Sequence, residues 1–189
     1  MEQTMGNDIL SQVDAQGLLA GCEYAPSPNC DERPPGAIGL LVIHNISLPP
    51  DTFGGDGVQR LFTNTLDAGA HPYYQAIAGL KVSAHFFVRR DGRIVQFVSC
   101  LKRAWHAGES RWQGTTRCND FSIGIELEGS DAVPFTDAQY AALHRLTVAL
   151  RVAYPIRGIA GHSDISPQRK TDPGPCFDWV RYLARLCAA

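Results

Sequence analysis

The chain has 189 residues, 44% of them hydrophobic, which predicts a single globular domain over 1–189 with its core at about 26–187. The formal net charge of −2 gives no electrostatic reason to expect nucleic acid or an anionic membrane as a partner. No apolar run is long enough to span a bilayer, and the start, "MEQTMGNDIL", lacks the features of a secretory signal, so we expect a cytoplasmic protein.

Cysteine usage agrees with a reducing compartment. The six cysteines are spread along the chain without a C-x-x-C pair: Cys22, Cys30, Cys100, Cys118, Cys176 and Cys187. Disulfides are rare in such compartments, and we expect reduced thiols.

The first third of the chain holds one strong element. Residues 7–20 carry an apolar pattern that predicts a short helix, or at least an N-terminal extension over 1–20, ending near Gly21. Four prolines between 25 and 36 predict an irregular segment. The run "AIGLLVIH" then predicts a strand that is buried on both faces and ends at His44.

The middle of the chain predicts helical pieces and a hairpin. Short helices are expected near 58–64 and 73–78. The segment "VSAHFFVRRDGRIVQFV" contains two β-rich runs around Asp91-Gly92, a dipeptide that suits a two-residue hairpin turn. "FSIGIELEG" predicts a further strand, and its alternation places Glu126 and Glu128 on the polar face.

The last third predicts two helices joined by a strand and a polar loop. Thr136 to Gln139 matches a capping box, and the helix that follows buries Leu143, Leu146, Leu150 and Tyr154 before it stops ahead of Pro155. "GIA" predicts a short strand leading into the loop 161–175. The segment "FDWVRYLARLCA" predicts a closing helix whose inward residues are Phe177, Val180, Leu183 and Leu186.

The polar loop concentrates reactive side chains. It contains His162, Lys170 and Asp172, and His44 lies at the predicted strand end. A catalytic zinc site takes three ligands from His, Asp, Glu and Cys and keeps one position open. No H-x-x-x-H pair occurs, so local spacing by itself does not decide between zinc ligands and hydrogen-bonded structural histidines.

A series of motifs in order along the chain favours zinc ligands over structural histidines. These motifs are "LLVIHNISLPP", "SAHFFVRRDGRIVQFV", "RAWHAGES", "CNDFSIGIELEG" and "YPIRGIAGHSDISPQRKTDPGPCFDW". From about Pro26 to the C-terminal helix the chain resembles the AmpD family of N-acetylmuramyl-L-alanine amidases, relatives of T7-type lysozyme and the peptidoglycan recognition proteins. The predicted elements indicate an α+β (α/β-like) fold in which helices flank a central mixed β-sheet, and the resemblance implies that this fold is of the zinc-amidase and peptidoglycan-recognition-protein type.

The resemblance also implies roles for five residues. His44, His162 and Asp172 correspond to the ligands of Zn²⁺, with the fourth position left to water. Glu126 corresponds to the residue that takes the proton from that water, and Lys170 to the cation that stabilises the developing oxyanion. Such an assignment is chemically coherent, because a carboxylate that accepts the water proton can pass it to the leaving nitrogen.

Several alternatives to these roles stay open on sequence. Glu128 shares the polar face with Glu126 and competes with it as the base. Asp164 is a second choice for the third ligand, although it can also cap a local turn. Cys176 is a third choice, since a cysteine fills this place in the phage branch, and Lys170 can be read as a solvated surface lysine.

Residues expected around the substrate are less strongly indicated. Asn45 is expected to hydrogen-bond the ligand and Arg117 to pair with a carboxylate, whereas Lys81 stands where related enzymes tend to carry arginine. Trp105 and His106 either line the groove or serve only in packing. The three histidines with structural or surface interpretations are His71, His85 and His144.

The resemblance implies a reaction and a place for it. The bond cleaved is the amide between the lactyl group of (1,6-anhydro)N-acetylmuramic acid and L-alanine of muropeptides, in cytosolic peptidoglycan recycling, with an indirect effect on β-lactamase induction. Two rivals are a metal-free peptidoglycan-sensing module and an exported amidase that digests polymeric wall. We expect a monomer.

Overall fold

A computed structural model describes residues 12–187, with the side chain of residue 187 excepted. The strands are β1 Glu23–Tyr24, β2 Cys30–Glu32, β3 Leu40–Ile46, β4 Phe86–Val88, β5 Ile94–Gln96, β6 Lys102–Ala104, β7 Arg111–Trp112, β8 Thr115–Thr116, β9 Ser122–Glu128 and β10 Gly158–Gly161. The α-helices are α1 Gly57–Phe62, α2 Pro72–Ile77, α3 Asp137–Ala153, α4 His162–Ile165 and α5 Trp179–Cys187.

A six-stranded mixed sheet in the order β1-β5-β4-β9-β3-β10 forms the centre of the fold. The neighbours β4, β9, β3 and β10 are parallel, and β4 pairs with β5 in antiparallel orientation. Residues 40–44 of β3 and all of β9 are buried, as parallel strands covered on both faces require. The fold class predicted from the sequence is confirmed.

Apolar side chains cover the two faces of this sheet. On one face Ile43 and Ile125 pack in a cluster with Leu143 and Leu146 of α3, and Tyr182 of α5 joins them. The opposite face carries two smaller clusters. One contains Leu40 and Val42 of β3, and the other joins α1 to Phe87 of β4. Phe87 pairs with Glu126, so this second face is the one that carries the polar residues of β9.

The start of α3 follows the predicted capping box. The Thr136 hydroxyl accepts a hydrogen bond from the Gln139 amide at 3.1 Å, and Gln139 Oε1 accepts from the Thr136 amide at 3.1 Å. Two of the four amides that a helix start leaves unpaired are thereby satisfied.

The predicted N-terminal helix is wrong where the structure describes it. Residues 12–20 form a tight turn closed by an antiparallel bridge between Val13 and Leu19, and residues 7–11 lie outside the described part of the chain. Asp14 Oδ1 accepts from the amides of Gln16 and Leu18, which offers the backbone an alternative to helical bonding. The segment predicted to be irregular likewise contains β2, paired with β6.

The hairpin is confirmed, but its turn is longer than predicted. Arg89 and Arg93 close the loop, and the Gly92 amide donates to the Arg89 carbonyl at 2.9 Å. Gly92 has a φ of +84°, so three residues form a turn with glycine in the left-handed region.

The inward residues predicted for the last helix are confirmed at Phe177 and Leu186 but wrong at Val180 and Leu183. Val180 is 81% exposed and Leu183 is 40% exposed, whereas Tyr182 is buried and donates to or accepts from Thr147 at 2.6 Å. The helix begins at Trp179, and its contacts run through Trp179, Tyr182 and Leu186. The large aromatic ring buries more apolar area than the valine beside it, and this sets the rotation of the helix.

The structure also bears on the state of the cysteines and on membrane-spanning helices. The cysteines with described side chains, at positions 22, 30, 100, 118 and 176, are free thiols. No helix within residues 12–187 has the length and apolar character needed to cross a membrane.

Candidate metal centre and active site

The site is built at one edge of the parallel strands. His44 on β3 is the register partner of Glu126 on β9, so the two side chains stand next to each other on the same face. Gly161, the last residue of β10, pairs with Ile43, and His162 follows it directly. Three neighbouring strands therefore deliver His44, Glu126 and His162 to one place, as the carboxyl ends of parallel strands commonly do.

Three potential ligand atoms converge there. His44 Nδ1 lies 3.0 Å from His162 Nδ1 and 2.9 Å from Asp172 Oδ2, and His162 Nδ1 lies 3.0 Å from the same oxygen. Ligands about 2.0–2.1 Å from a tetrahedral Zn²⁺ are separated by roughly 3.3 Å. The triangle has nearly this size, and among residues 12–187 these three side chains are the group able to hold a metal ion.

The hydrogen bond of His162 agrees with a ligand role. Its Nε2 lies 3.1 Å from the Ala107 carbonyl oxygen, which can only accept, so Nε2 carries the proton and Nδ1 keeps its lone pair. A carbonyl partner at the distal nitrogen is the usual way in which metal-binding histidines are oriented. The donor set thus fits zinc chemistry.

The predicted loop 161–175 includes one helical turn. We expected no helix here, but α4 occupies His162–Ile165 because Asp164 Oδ2 accepts from the Gly161 amide at 2.7 Å and caps it. The Ser163 amide donates to the Asp172 carbonyl at 2.8 Å and ties together the two potential ligands of this loop, His162 and Asp172. Asp164 is therefore occupied as a cap and lies outside the metal-binding group.

Electrostatics hold His44 and Asp172 in the forms that bind cations. Burial lowers the pKa of His44 to about 4, and the nearby carboxylate of Asp172 only partly opposes this. Burial raises the pKa of Asp172, but hydrogen bonds with His162 and His44 outweigh it and hold that pKa well below its ordinary value. At neutral pH the pair is a neutral imidazole and a carboxylate.

Glu126 is a buried carboxyl group facing the site. It is 9% exposed, and its Oε2 has no hydrogen-bond partner among the described residues. Burial raises its pKa well above the ordinary value and the charge of Asp172 adds to this rise, while Lys170 opposes it. A carboxyl group with a raised pKa is suited to accept and return a proton near neutral pH.

Lys170 is exposed at the mouth of the same cavity. Its charge lowers the pKa of both Glu126 and His44, which places the ammonium within electrostatic reach of the centre. Arg169 beside it is held back, because its guanidinium donates to the Glu109 carbonyl at 2.5 Å. The Arg169 side chain is therefore committed to a backbone carbonyl.

A cavity of about 780 Å³ lies over the three strand ends. Its size is in the range of sites that hold small molecules. Eight of its lining residues are largely apolar: Leu48, Leu61, Phe62, Tyr73, Ile77, Leu80, Val82 and Trp105. The lining also includes polar residues, among them Asp131, Arg169, Lys170 and Thr171. The cavity thus offers both apolar and polar contacts next to the metal-binding group.

Predicted substrate residues fall into two groups. Asn45, Trp105 and His106 line the cavity. Lys81 and Arg117 do not, since Lys81 is exposed beside it and Arg117 is 71% exposed in an ion pair with Asp120 at 3.1 Å. The side-chain amide of Asn45 donates to Asp131 Oδ1 at 2.8 Å and to the Pro173 carbonyl at 3.1 Å, so it also holds two loops.

The remaining alternatives are placed elsewhere. Glu128 accepts from the Gly54 amide at 2.5 Å and from the Arg90 amide at 3.0 Å, which commits its carboxylate to anchoring two loops. Glu126 is the carboxylate of β9 that lines the cavity. Cys176 is partly buried and lies outside the metal-binding group.

The three other histidines have local partners. His85 is buried and accepts from the Gly124 amide at 3.0 Å, His71 caps α2 by accepting from the Tyr73 amide, and His144 contacts the Arg185 carbonyl. The sequence did not predict the residues that hydrogen-bond to the predicted site residues. These are Ala107, which contacts His162, Asp131, which contacts Asn45, and Ser122, which contacts His106. Ser122 is on the polar face of β9, and that face was the one available signal for it.

Comparison with known proteins gives the site its family. A family model described as N-acetylmuramoyl-L-alanine amidase, Amidase_2, matches residues 34–175. The chain belongs to this family. It is an N-acetylmuramoyl-L-alanine amidase, and the resemblance drawn from the motifs is confirmed.

Individual relatives of this amidase agree in sequence and in fold. The 1,6-anhydro-N-acetylmuramyl-L-alanine amidase AmpD of Escherichia coli K12 is 57% identical over 170 residues, which cover 88% of this chain and 93% of the relative. A crystal structure of a selenomethionine AmpD derivative superposes with a TM-score of 0.88 at 57% identity and covers 90% of this chain and 97% of that one.

A more distant structure contains a bound ligand. It is the E. coli amidase AmiD in complex with the substrate anhydro-N-acetylmuramic acid-L-Ala-D-gamma-Glu-L-Lys. The TM-score is 0.58 at 33% identity, with 78% of this chain and 57% of that one covered.

Proposed function

We propose that this amidase is zinc-dependent and hydrolyses the amide between the lactyl group of 1,6-anhydro-N-acetylmuramic acid and L-alanine. The observation that carries the proposal is the triangle of His44 Nδ1, His162 Nδ1 and Asp172 Oδ2, with distances of 2.9–3.0 Å, beside the buried carboxyl group of Glu126. The three ligands are two imidazoles and one carboxylate, a set typical of catalytic zinc.

When bound, zinc lowers the pKa of a water molecule from about 15.7 towards about 7 and polarises a carbonyl oxygen. Glu126 accepts the proton released by the attacking water, because its Oε2 faces the site without another partner. The same carboxyl group then protonates the leaving amide nitrogen of L-alanine, which a raised pKa makes easier. One residue therefore serves as base and then as acid.

Lys170 stabilises the negative charge that develops on the attacked carbonyl oxygen. Its ammonium lines the cavity and is near enough to shift the pKa of Glu126. A preorganised positive charge acts on the transition state more than on the neutral amide, and this raises the rate of the chemical step.

The substrate is proposed to be a soluble anhydromuropeptide. The high identity to an enzyme named for the 1,6-anhydro sugar supports this, and so does the bound anhydro substrate of the related AmiD. Asn45, Trp105 and His106 contribute to the cavity, and Lys81 and Arg117 remain candidates for contacts to the peptide carboxylates. The apolar residues that line the cavity suit contacts with a compact bicyclic sugar.

A cytoplasmic location and a role in peptidoglycan recycling belong to this proposal. Free cysteines at described positions such as Cys22 and Cys30 fit a reducing compartment. Removal of the peptide lowers the amount of anhydromuropeptide, which links the enzyme indirectly to β-lactamase induction. The protein is proposed to act as a monomer.

The test is digestion of a purified anhydromuropeptide followed by mass spectrometry. We expect release of the intact peptide and of the free anhydro sugar, loss of release after chelation, and recovery on addition of Zn²⁺. The matching peptide on a reducing, non-anhydro sugar is the control for specificity. A protein that binds muropeptide without cleaving it would be the sensing module instead.

A further inference from the structure

His106 joins the metal-binding group through a chain of hydrogen bonds. His44 Nε2 lies 3.0 Å from His106 Nδ1, and His106 Nε2 lies 3.2 Å from Ser122 Oγ. The Ser122 hydroxyl in turn lies 2.6 Å from the Cys118 carbonyl oxygen. The chain thus runs from a ligand histidine to the backbone of the segment that precedes β9.

The direction of this chain follows from the proton count. A carbonyl oxygen can only accept, so the Ser122 hydroxyl donates its one proton to the Cys118 carbonyl. The Ser122 oxygen can then only accept a hydrogen bond from His106. His106 must then carry its proton on Nε2, which leaves Nδ1 as an acceptor. Nδ1 can accept only from a protonated His44 Nε2, and His44 Nδ1 therefore keeps its lone pair for the metal.

The reverse direction would defeat metal binding. If Ser122 donated to His106, then His106 Nδ1 would donate to His44 Nε2, and the His44 proton would lie on Nδ1. That proton would lie between His44 and Asp172, which are 2.9 Å apart, where the cation is proposed to bind. The Cys118 carbonyl excludes this arrangement.

Gly124 provides the seat for the His106 ring. A Cβ atom at position 124 would come within 2.6 Å of His106 Nδ1 and would overlap other ring atoms. Glycine at this point of β9 therefore lets the imidazole lie against the strand. From there His106 reaches both Ser122 and His44, and the two rings meet edge to face with centroids 5.1 Å apart.

We propose that His106 is a positioning residue, which holds His44 in the tautomer and orientation that bind zinc. This inference rests on the proposed zinc-dependent function. It differs from both roles considered for His106 on sequence, groove lining and simple packing, because a lining residue acts on substrate binding whereas a positioning residue acts on the metal.

The first test compares two replacements of His106. His106→Leu removes the acceptor, whereas His106→Asn keeps an oxygen acceptor close to the place of Nδ1. We expect His106→Leu to weaken zinc affinity about 10- to 100-fold, measured by competition with a chelator, because loss of such outer partners typically has this effect. His106→Asn should recover most of the affinity. His144→Leu removes a histidine that lies outside the cavity and hydrogen-bonds to the Arg185 carbonyl, and this variant should bind zinc as the parent does.

The second test is a double-mutant cycle. Gly124→Ala should weaken zinc affinity by displacing the ring, and it should have little further effect in a His106→Ala background, where the ring is gone. If Gly124→Ala reduced zinc affinity equally in both backgrounds, the effect would not act through the His106 ring, and the proposed role of Gly124 would be wrong. If His106→Leu does not fold, Ser122→Ala is measured instead, and unchanged zinc affinity in that variant would overturn the directional chain.

The outcomes separate this inference from the function on which it rests. A parent enzyme that binds no zinc and is active after chelation would contradict the zinc-dependent function itself. A parent that needs zinc, combined with a His106→Leu variant that changes KM but not zinc affinity, would leave the function intact and reduce His106 to a lining residue. Equal losses in His106→Leu and His106→Asn would also overturn the positioning role.

Discussion

Glu126 and His44 are register partners across the parallel pair of β9 and β3, and both point into the same cavity. This relationship is fixed by backbone hydrogen bonds of the central sheet, so the placement of the proposed base beside His44 does not depend on a loop. Rigid elements hold a catalytic constellation more accurately than loops do.

Replacing Glu126 by glutamine should separate metal binding from catalysis. Glutamine has nearly the same shape but cannot take a proton, so we expect kcat to fall about 10²- to 10⁴-fold while zinc affinity is retained. The measurement is steady-state hydrolysis of an anhydromuropeptide together with zinc analysis. Glu32→Gln, at an exposed residue of β2, is the matched control, and near-parental activity of Glu126→Gln would move the role of base to another residue.

Glu128 should behave as a structural residue despite its position two residues away. Its carboxylate accepts from the amides of Gly54 and Arg90, and the neutral amide of Glu128→Gln can retain only part of this bonding. We expect the free energy of unfolding to fall by about 1–3 kcal/mol in chemical denaturation. Zinc affinity should stay unchanged, and a loss of kcat as large as that of Glu126→Gln at full zinc occupancy would contradict this division.

The two aspartates of the polar loop should give opposite results. Asp172→Ala removes a proposed ligand atom, and we expect zinc binding and hydrolysis to be lost. Asp164→Ala removes the cap of α4, which should cost about 0.5–2 kcal/mol in stability while the zinc stoichiometry is preserved. Metal analysis of the two purified variants checks the prediction, and loss of zinc only in Asp164→Ala would reverse the assignment.

The buried His85 should make the fold sensitive to acid. Burial and the charge of Arg33 lower its pKa to about 3, compared with about 6.5 in the unfolded chain. Between these values the unfolded state binds the extra proton, so the contribution of His85 to the free energy of unfolding is complete above pH 6.5 and is lost as pH decreases towards 3.

The expected slope for this one group is at most about 1.4 kcal/mol per pH unit. His85→Asn keeps an acceptor for the Gly124 amide but does not titrate, so its free energy of unfolding should depend less on pH over this range. Urea unfolding at a series of pH values measures both chains. Parallel pH profiles would show that His85 does not contribute.

Much of the central sheet could be predicted from local pattern. The buried run before His44 and the alternation around Glu126 identify β3 and β9, because burial on both faces leaves a continuous apolar run and a polar face leaves an alternating one. The capping box of α3 was predictable for the same reason, since its hydrogen bonds join residues three apart.

The predictions that were wrong concern segments whose conformation depends on packing against residues far away in the sequence. Tyr182 rather than Val180 faces the core because it packs between Phe177 and Thr147, a contact that no local period contains. Leu19 is buried through contacts with the main core, and the turn around Asp14 follows from this rather than from the helical pattern.

In the candidate site, too, some features could be predicted from the sequence, whereas others depend on tertiary packing. His44, His162 and Asp172 were identified through family motifs, not through their spacing, because 118 residues separate the two histidines. The chain from His106 to Ser122 and Cys118 was not predictable, since it depends on the seat that Gly124 provides.

We propose that His44, His162 and Asp172 together hold one catalytic zinc ion. The most direct measurement is hydrolysis of an anhydromuropeptide by metal-free protein during stepwise addition of Zn²⁺, with bound metal determined at each step. We predict that activity is absent at the start, rises in proportion to bound zinc and reaches its plateau at one ion per chain. Full activity in verified metal-free protein, or a plateau unrelated to bound zinc, would show that these three residues do not form a catalytic zinc site.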